Sequence, residues 1–316
     1  MDNNYSANFQ FISIGKYATD SDHSLIYLFD FLKYEWKNRH YFIVFCLFLP
    51  AILMASTMFS ETLAEDSAFF VLIGLLNIVT MALTLSRRGE NYLCSMLGGK
   101  KILREEHEMY LLMPFTEVVE KCRRDGLDLP EEITPFVVPS EAPFAVAVGR
   151  HTVLLSEGMM ELNDTAFQTV VENQLFRIHK RVPDLIRAVF GSNLVTVFVL
   201  IPIVFFLHIE KKHGGYRVDI FGSIHSDSRD AAIILFLVTG TVLCACVLSI
   251  SLISSASKEP IFEADEYGCR CGHGEYLICY LDNMDDYNLP LMFELAKCIV
   301  PGKDQRISRI QRMCAA

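Results

Sequence analysis

The chain has 316 residues, 52% of them hydrophobic, with a mean hydropathy of +0.30 and a formal net charge of -10. That apolar content lies above soluble norms and points to an integral membrane protein. The acidic balance and a pI near 5.4 exclude nucleic acid as a partner, because phosphate binding needs clustered cations.

In chain order, residues 1–40 form a mixed cytoplasmic segment with an aromatic pair, Phe9 and Phe11, and an interfacial helix expected at Leu25–Trp36. Trp36 stands beside Tyr34 and Tyr41, where aromatic belt residues collect. Four charge-free runs follow: Tyr41–Met58, Ser67–Leu85, Ser192–Leu207 and Ala231–Ile253. Each is near or above the roughly 17–25 residues that a bilayer crossing takes. One such run would fit a buried core helix; four together predict four transmembrane helices. The first begins too late for a signal peptide of roughly 15–30 residues, so it is expected to stay as an anchor.

Lys33, Lys37 and Arg39 precede the first hairpin and Arg87, Arg88, Lys100 and Lys101 follow it, while Glu61, Glu65 and Asp66 occupy its loop. By the positive-inside rule both ends are cytoplasmic, and two more crossings return the C-terminus there. Lys211, Lys212, Arg217 and Arg229 in the second loop weigh against that topology.

After the break at Gly98-Gly99, Glu105–Arg124 carries Tyr110, Leu111, Phe115, Val118 and Val119 at helical spacing, with a kink expected at Pro114 and an end at Asp125-Gly126. Three short strands are predicted at about Pro135–Val138, Pro143–Val148 and Thr152–Leu155, the last two joined as a hairpin around Gly149-Arg150. An amphipathic helix then covers Val170–Arg181, its stripe formed by Phe167, Val170, Val171, Leu175, Ile178 and Val182. Asn163, Asp164 and Thr165 are competent N-caps, and Thr165 with Gln168 fits a capping box. Beyond the last run come a helix containing Phe262-Glu263-Ala264-Asp265, a second at about Gly274–Asn283, a third including Pro290–Ile299, and a closing tail. Cys269-Arg-Cys271-Gly-His273 lacks the spacing and fourth ligand of a structural zinc site.

The order of two apolar runs, a small αβ unit ending in a helix, two more runs and a helix with F-x-A-D resembles the HtpX family of bacterial inner-membrane zinc metallopeptidases, which are related to the CAAX prenyl peptidases. The resemblance covers roughly residues 41–313. It rests on Leu97-Gly98-Gly99, on Pro143–Gly149 as the strand entry, on Val153–Leu162, on Phe262–Asp265, and on Asp304-Gln305-Arg306-Ile307 as the closing R-I segment.

The resemblance implies an α-rich multi-pass membrane protein with a small α+β zincin-like cytoplasmic domain in the bacterial inner membrane. Its parts would be a transmembrane hairpin at 41–85, the first part of the peptidase-like domain at 86–190, a second hairpin at 191–253 and the helical remainder at 254–316.

The departures from the family fall on the chemistry. Aligned residue by residue, Asn173 and Arg177 stand where the family has its two zinc-binding histidines, Gln174 where it has the general-base glutamate, and Ile261 where it has the third ligand. Asparagine is a poor zinc donor, glutamine cannot take a proton, arginine cannot be deprotonated to ligate, and isoleucine has no donor atom. Glu263 and His179 lie two residues from lost positions, about 200° around a helix, and do not replace them.

The expected protein is therefore a pseudopeptidase without cofactor, a binding or regulatory module whose partners are the lipid bilayer and membrane proteins or an active peptidase. The strand Phe144, Ala145, Val146, Ala147, Val148 would accept an extended polypeptide by edge pairing; plain core packing is the competing reading. Arg177 is expected to replace the lost metal charge by pairing with Asp265, against the alternative that it snorkels to solvent or lipid headgroups beside Lys180 and Arg181. The rival functional reading is an active zinc endopeptidase with divergent ligands. A transporter stands last, because the four runs carry no charge.

Overall fold

A computed structural model describes residues 27–38, 67–191, 228–283 and 300–314. The first and third expected spans, on residues 41–58 and 192–207, and the helix expected to include 290–299 lie outside the described residues. Helix α1 spans 27–38, α2 spans Ser67–Leu85 and α3 spans Arg87–Met96. Ser86 separates α2 from α3 and caps the latter, its hydroxyl accepting from the Gly89 amide. Gly98, at a φ of 83°, turns the chain into the two-residue strand β1, Lys100–Lys101.

The expected helix over Glu105–Arg124 is present in three pieces: a turn at Glu105–His107, a π segment at Glu108–Leu112, and α4 at Met113–Arg124. Pro114 falls in the first turn of α4, where a missing amide costs nothing, and the helical break appears as the π segment just before it. Strands β2 (Thr134–Val138), β3 (Ala145–Ala147) and β4 (Thr152–Ser156) follow, close to their predicted places. The sheet order is β1-β2-β4-β3, with β2 parallel to β4 and the outer strands antiparallel to their neighbours.

Alternate residues of this sheet serve two cores. Val137, Ala145, Val153 and Leu155 pack with α4 and with helix α5, Asp164–His179. Phe136, Phe144 and Leu154 pack on the opposite face with Cys94 of α3. Coverage on both faces explains why these strands read as continuous apolar runs.

Helix α5 starts at Asn163, whose side chain accepts from the Ala166 amide, so Thr165 lies inside the first turn rather than at the cap. The predicted stripe is buried, and so are Glu172, Asn173 and Gln174 on other faces. Helix α5 is therefore enclosed on most sides rather than amphipathic. A further helix, α6, covers 182–191, and α7 is a single helix from Ser228 to Arg270 that takes in both the last apolar run and the Phe262–Asp265 segment, with Pro260 inside it. Helices α8 (Gly274–Asn283) and α9 (Lys303–Cys314) close the described chain. The residues expected to form a tail are thus helical in α9.

The expected four transmembrane helices are not supported: no described helix is long and apolar enough to cross a membrane. Some of the apolar residues that suggested spans are used by protein contacts, while Leu75, Val79 and Leu83 of α2 and Phe236 and Val247 of α7 are exposed. Met81, Ala82 and Leu85 of α2 and Ile253 and Ala256 of α7 join Leu28 and Phe31 of α1 and Leu185, Ala188 and Val189 of α6 in one core. The segment 25–36, read as interfacial, contributes to that same core. Helix α7 continues directly into Lys258, Glu259, Glu263, Asp265 and Glu266, and packs against α5, α8 and α9. The topology with both termini cytoplasmic, which rested on four crossings, loses its basis.

Candidate functional site

The four positions aligned with the zinc motif meet in space. Asn173, Gln174 and Arg177 of α5 and Ile261 of α7 line one cavity of about 520 Å³, which is also lined by Phe144, Ala145, Val146, Ala147 and Val148. The spacing of Asn173 and Arg177 sets one above the other on the helix, and the sheet order leaves β3 at the edge beside them.

Below that wall Asp265 is fully buried and fully engaged. Arg306 of α9 grips it with two hydrogen bonds, Nε to Oδ2 at 2.8 Å and Nη2 to Oδ1 at 2.6 Å, in the forked geometry that suits guanidinium and carboxylate. Asn173 donates its Nδ2 to Oδ1 at 2.9 Å. The partner expected for Asp265 was Arg177; the structure supplies Arg306 from the segment that sequence reasoning left as a tail. The signal that could have found it was the closing R-I segment of the family resemblance, which contains this arginine.

Arg177 occupies the wall without such a partner. Among the described residues its Nε is shielded from solvent and has no hydrogen-bond acceptor, and no ion pair joins it to Asp265. Burial first, and then the neighbouring Arg306 charge, lower its pKa to about 10, while Asp265 and Tyr280 pull the other way. A guanidinium in that range still carries its proton at neutral pH.

The free edge of β3 is already occupied. Strand alternation sends the amides of Phe144 and Val148 toward β4, where Phe144 donates to Ser156 Oγ and Val148 to the Thr152 carbonyl. The amides of Ala145 and Ala147 face the cavity. Ala147 donates to Gln174 Oε1 at 3.3 Å, and the Ala145 backbone is hydrogen-bonded to the Tyr280 hydroxyl. Burial pushes Tyr280 up to about 12 against the opposing pull of Arg177, Arg306 and that backbone contact.

These residues do not fit zinc. The Asn173 amide nitrogen is turned to Asp265, the Gln174 oxygen is turned to β3, Arg177 is a cation and Ile261 has no donor. Neighbouring groups are committed elsewhere. His179 Nδ1 accepts from the Asp128 amide, and Glu263 pairs with Lys180 at 2.6 Å. Glu172 is fully buried, taking hydrogen bonds from Lys121 Nζ at 2.9 Å and Gln168 Nε2 at 2.6 Å, with His273 Nδ1 at 2.9 Å. His273, the histidine of the C-x-C-x-H string, is thereby bound to a carboxylate. Among the described residues no group of three or more His, Cys, Asp or Glu side chains is placed to hold a metal ion.

No family model matches the chain, and no curated protein matches it either. Among solved structures it is similar to the crystal structure of S. mikatae Ste24p. The likeness has a TM-score of 0.44 and 12% sequence identity, and it covers 90% of this chain and 66% of that one. The chain thus spans less than two thirds of that protein's length. At that TM-score the likeness carries no argument about chemistry, and the functional reading rests on the cavity itself.

Proposed function

We propose that this protein binds rather than cuts: a peptidase-like scaffold whose motif positions line a binding cavity in place of a metal centre. The observation that carries the reading is the convergence of Asn173, Gln174, Arg177 and Ile261 on one cavity beside an edge strand. None of the four supplies a good zinc ligand or a group able to take a proton from water. A membrane location, with membrane proteins or an active peptidase as partners, belongs to this proposal, and the 52% hydrophobic composition supports it. Edge pairing of a polypeptide on Ala145–Ala147 belongs to it too, with the requirement that the incoming strand displace Gln174 and Tyr280.

The test is elemental analysis and a peptidase assay on the purified full chain, beside a variant carrying Asn173→His, Gln174→Glu, Arg177→His and Ile261→Glu. Zinc in the variant and none in the native chain is the expected result. Stoichiometric zinc in the native chain, or proteolysis abolished by a chelator, would overturn the reading.

A further inference from the structure

The charge of the cavity wall is one-sided. Among the described residues Arg177, Arg187, Lys303 and Arg306 line it and no Asp or Glu does, in a chain whose formal net charge is -10. Three of these cations have carboxylates behind the wall: Arg306 has Asp265, Arg187 has Glu90 and Asp184, and Lys303 has Asp282. Arg177 is different. Among the described residues no carboxylate pairs with it, and its buried Nε, like that of Arg187, lacks an acceptor. A buried cationic donor left unmade is costly, so a ligand that brings the acceptor recovers what folding gave up.

The remaining wall is apolar and includes Leu93, Met96, Phe144, Ile186, Phe190 and Ile261. Its volume of about 520 Å³ falls in the range of small-molecule sites, roughly 300–1,000 Å³. An inorganic anion would satisfy Arg177 and leave this wall against water. A plain hydrocarbon would cover the wall and leave Arg177 unpaired. One molecule with both parts answers both.

We propose that the cavity binds a single-chain anionic amphiphile, its carboxylate or phosphate head accepting from Arg177 and its chain lying against the apolar wall formed by α3, α6 and β3. The inference rests on the reading of the cavity as a binding site and adds the class of its occupant. A peptide strand is the poorer occupant, because the two outward amides of β3 are engaged by Gln174 and Tyr280.

The experiment is displacement of a fluorescent fatty acid from the purified full chain by palmitate, a lysophosphatidate, palmityl alcohol and inorganic phosphate. Palmitate or the lysophosphatidate should displace the probe, with the alcohol and inorganic phosphate each about tenfold weaker or more, as expected when a charge-assisted bond or the apolar chain is lost. The tighter of the two anions distinguishes a free fatty acid from a phospholipid-derived ligand. Arg177→Gln should weaken both anions by about tenfold and leave the alcohol unchanged, and Arg177→Lys should restore most of the affinity. Ile186→Trp, which fills the cavity from α6, should weaken alcohol and anions alike. Circular dichroism of each variant establishes that it is folded. Equal affinity for alcohol and palmitate, unchanged anion affinity in folded Arg177→Gln, or binding of an extended peptide alone would overturn the proposal. Failure of amphiphile binding in a chain without zinc or proteolysis would remove this inference and leave the non-catalytic reading standing.

Discussion

Two buried ionic clusters stand near the same cavity, and they are built differently. Around Glu90 nearly every acceptor is used: its carboxylate takes the Arg150 and His151 amides, the Thr152 hydroxyl and Arg187 Nη2 at 2.9 Å, and Arg187 also reaches Asp184 and the Thr84 carbonyl. Tyr27 of α1 joins through Asp184, so this cluster ties α1, α2, α3, α6 and β4 together. Around Asp265 the carboxylate is equally satisfied, but one guanidinium too many is present, and Arg177 is the one left over. A closed network holds a fold; an open donor facing a cavity is available to a ligand.

The largest effect is expected where the closed network is broken. Glu90→Ala leaves Arg187 with Asp184 as its remaining carboxylate and orphans the Arg150 and His151 amides and the Thr152 hydroxyl, and should cost about 3–5 kcal/mol, read by chemical denaturation. The same carboxyl gives a pH signature. Burial alone would raise its pKa, but Arg187, His151 and Thr152 override that and hold it at about 2, below the ordinary glutamate value of 4.5. Because the folded value is depressed, its stabilisation is fully present above pH 4.5 and is lost as pH falls toward 2. Stability of the native chain should therefore decline through that window, and a Glu90→Gln variant should show a shallower decline there.

Asp265→Ala should rank next. It leaves Arg306 unpaired beside Arg177 and removes the acceptor of Asn173, at a cost of about 2–4 kcal/mol in the same assay. If it costs less than Arg306→Ala, the cavity tolerates an extra cation better than an unpaired carboxylate, and the contrast between the clusters sharpens.

Gly149→Ala probes the closed network from its backbone. A Cβ there would meet Glu90 Cδ at 2.4 Å, and that side chain is pinned by its hydrogen bonds, so it cannot swing aside. About 1–3 kcal/mol of destabilisation is expected from the overpacking, seen as a lowered melting temperature.

Much of the fold was legible because its signals are local. Three of the four strands, the stripe on α5 and the turn at Gly126 (φ 88°) follow from alternation, helical spacing and glycine. The apolar runs misled because hydropathy does not tell lipid from protein: Met81, Leu85 and Ile253 are buried against Leu28, Phe31 and Leu185, which are distant in sequence. β1 was missed because two lysines show no alternation and pair only through β2. At the site, the family alignment placed Asn173, Gln174, Arg177 and Ile261 on one cavity, but no spacing could show which arginine reaches Asp265. Arg177 and Arg306 are separated by most of the C-terminal chain, and the choice between them is made by how α9 packs on α7.

The smallest expected change is the most informative. Arg177→Met removes a guanidinium that has no carboxylate partner among the described residues and whose Nε has no acceptor, and fills nearly the same space with an apolar stem beside Ile261 and Val170. If Arg177 is surplus to folding, the variant should be neutral or more stable by up to about 1 kcal/mol, since an unsatisfied buried donor costs more than it returns. Removing its repulsion of Arg306 acts in the same direction. A loss of about 2 kcal/mol or more would place Arg177 with the closed network, as a side chain the fold requires, and the distinction between the two clusters would collapse.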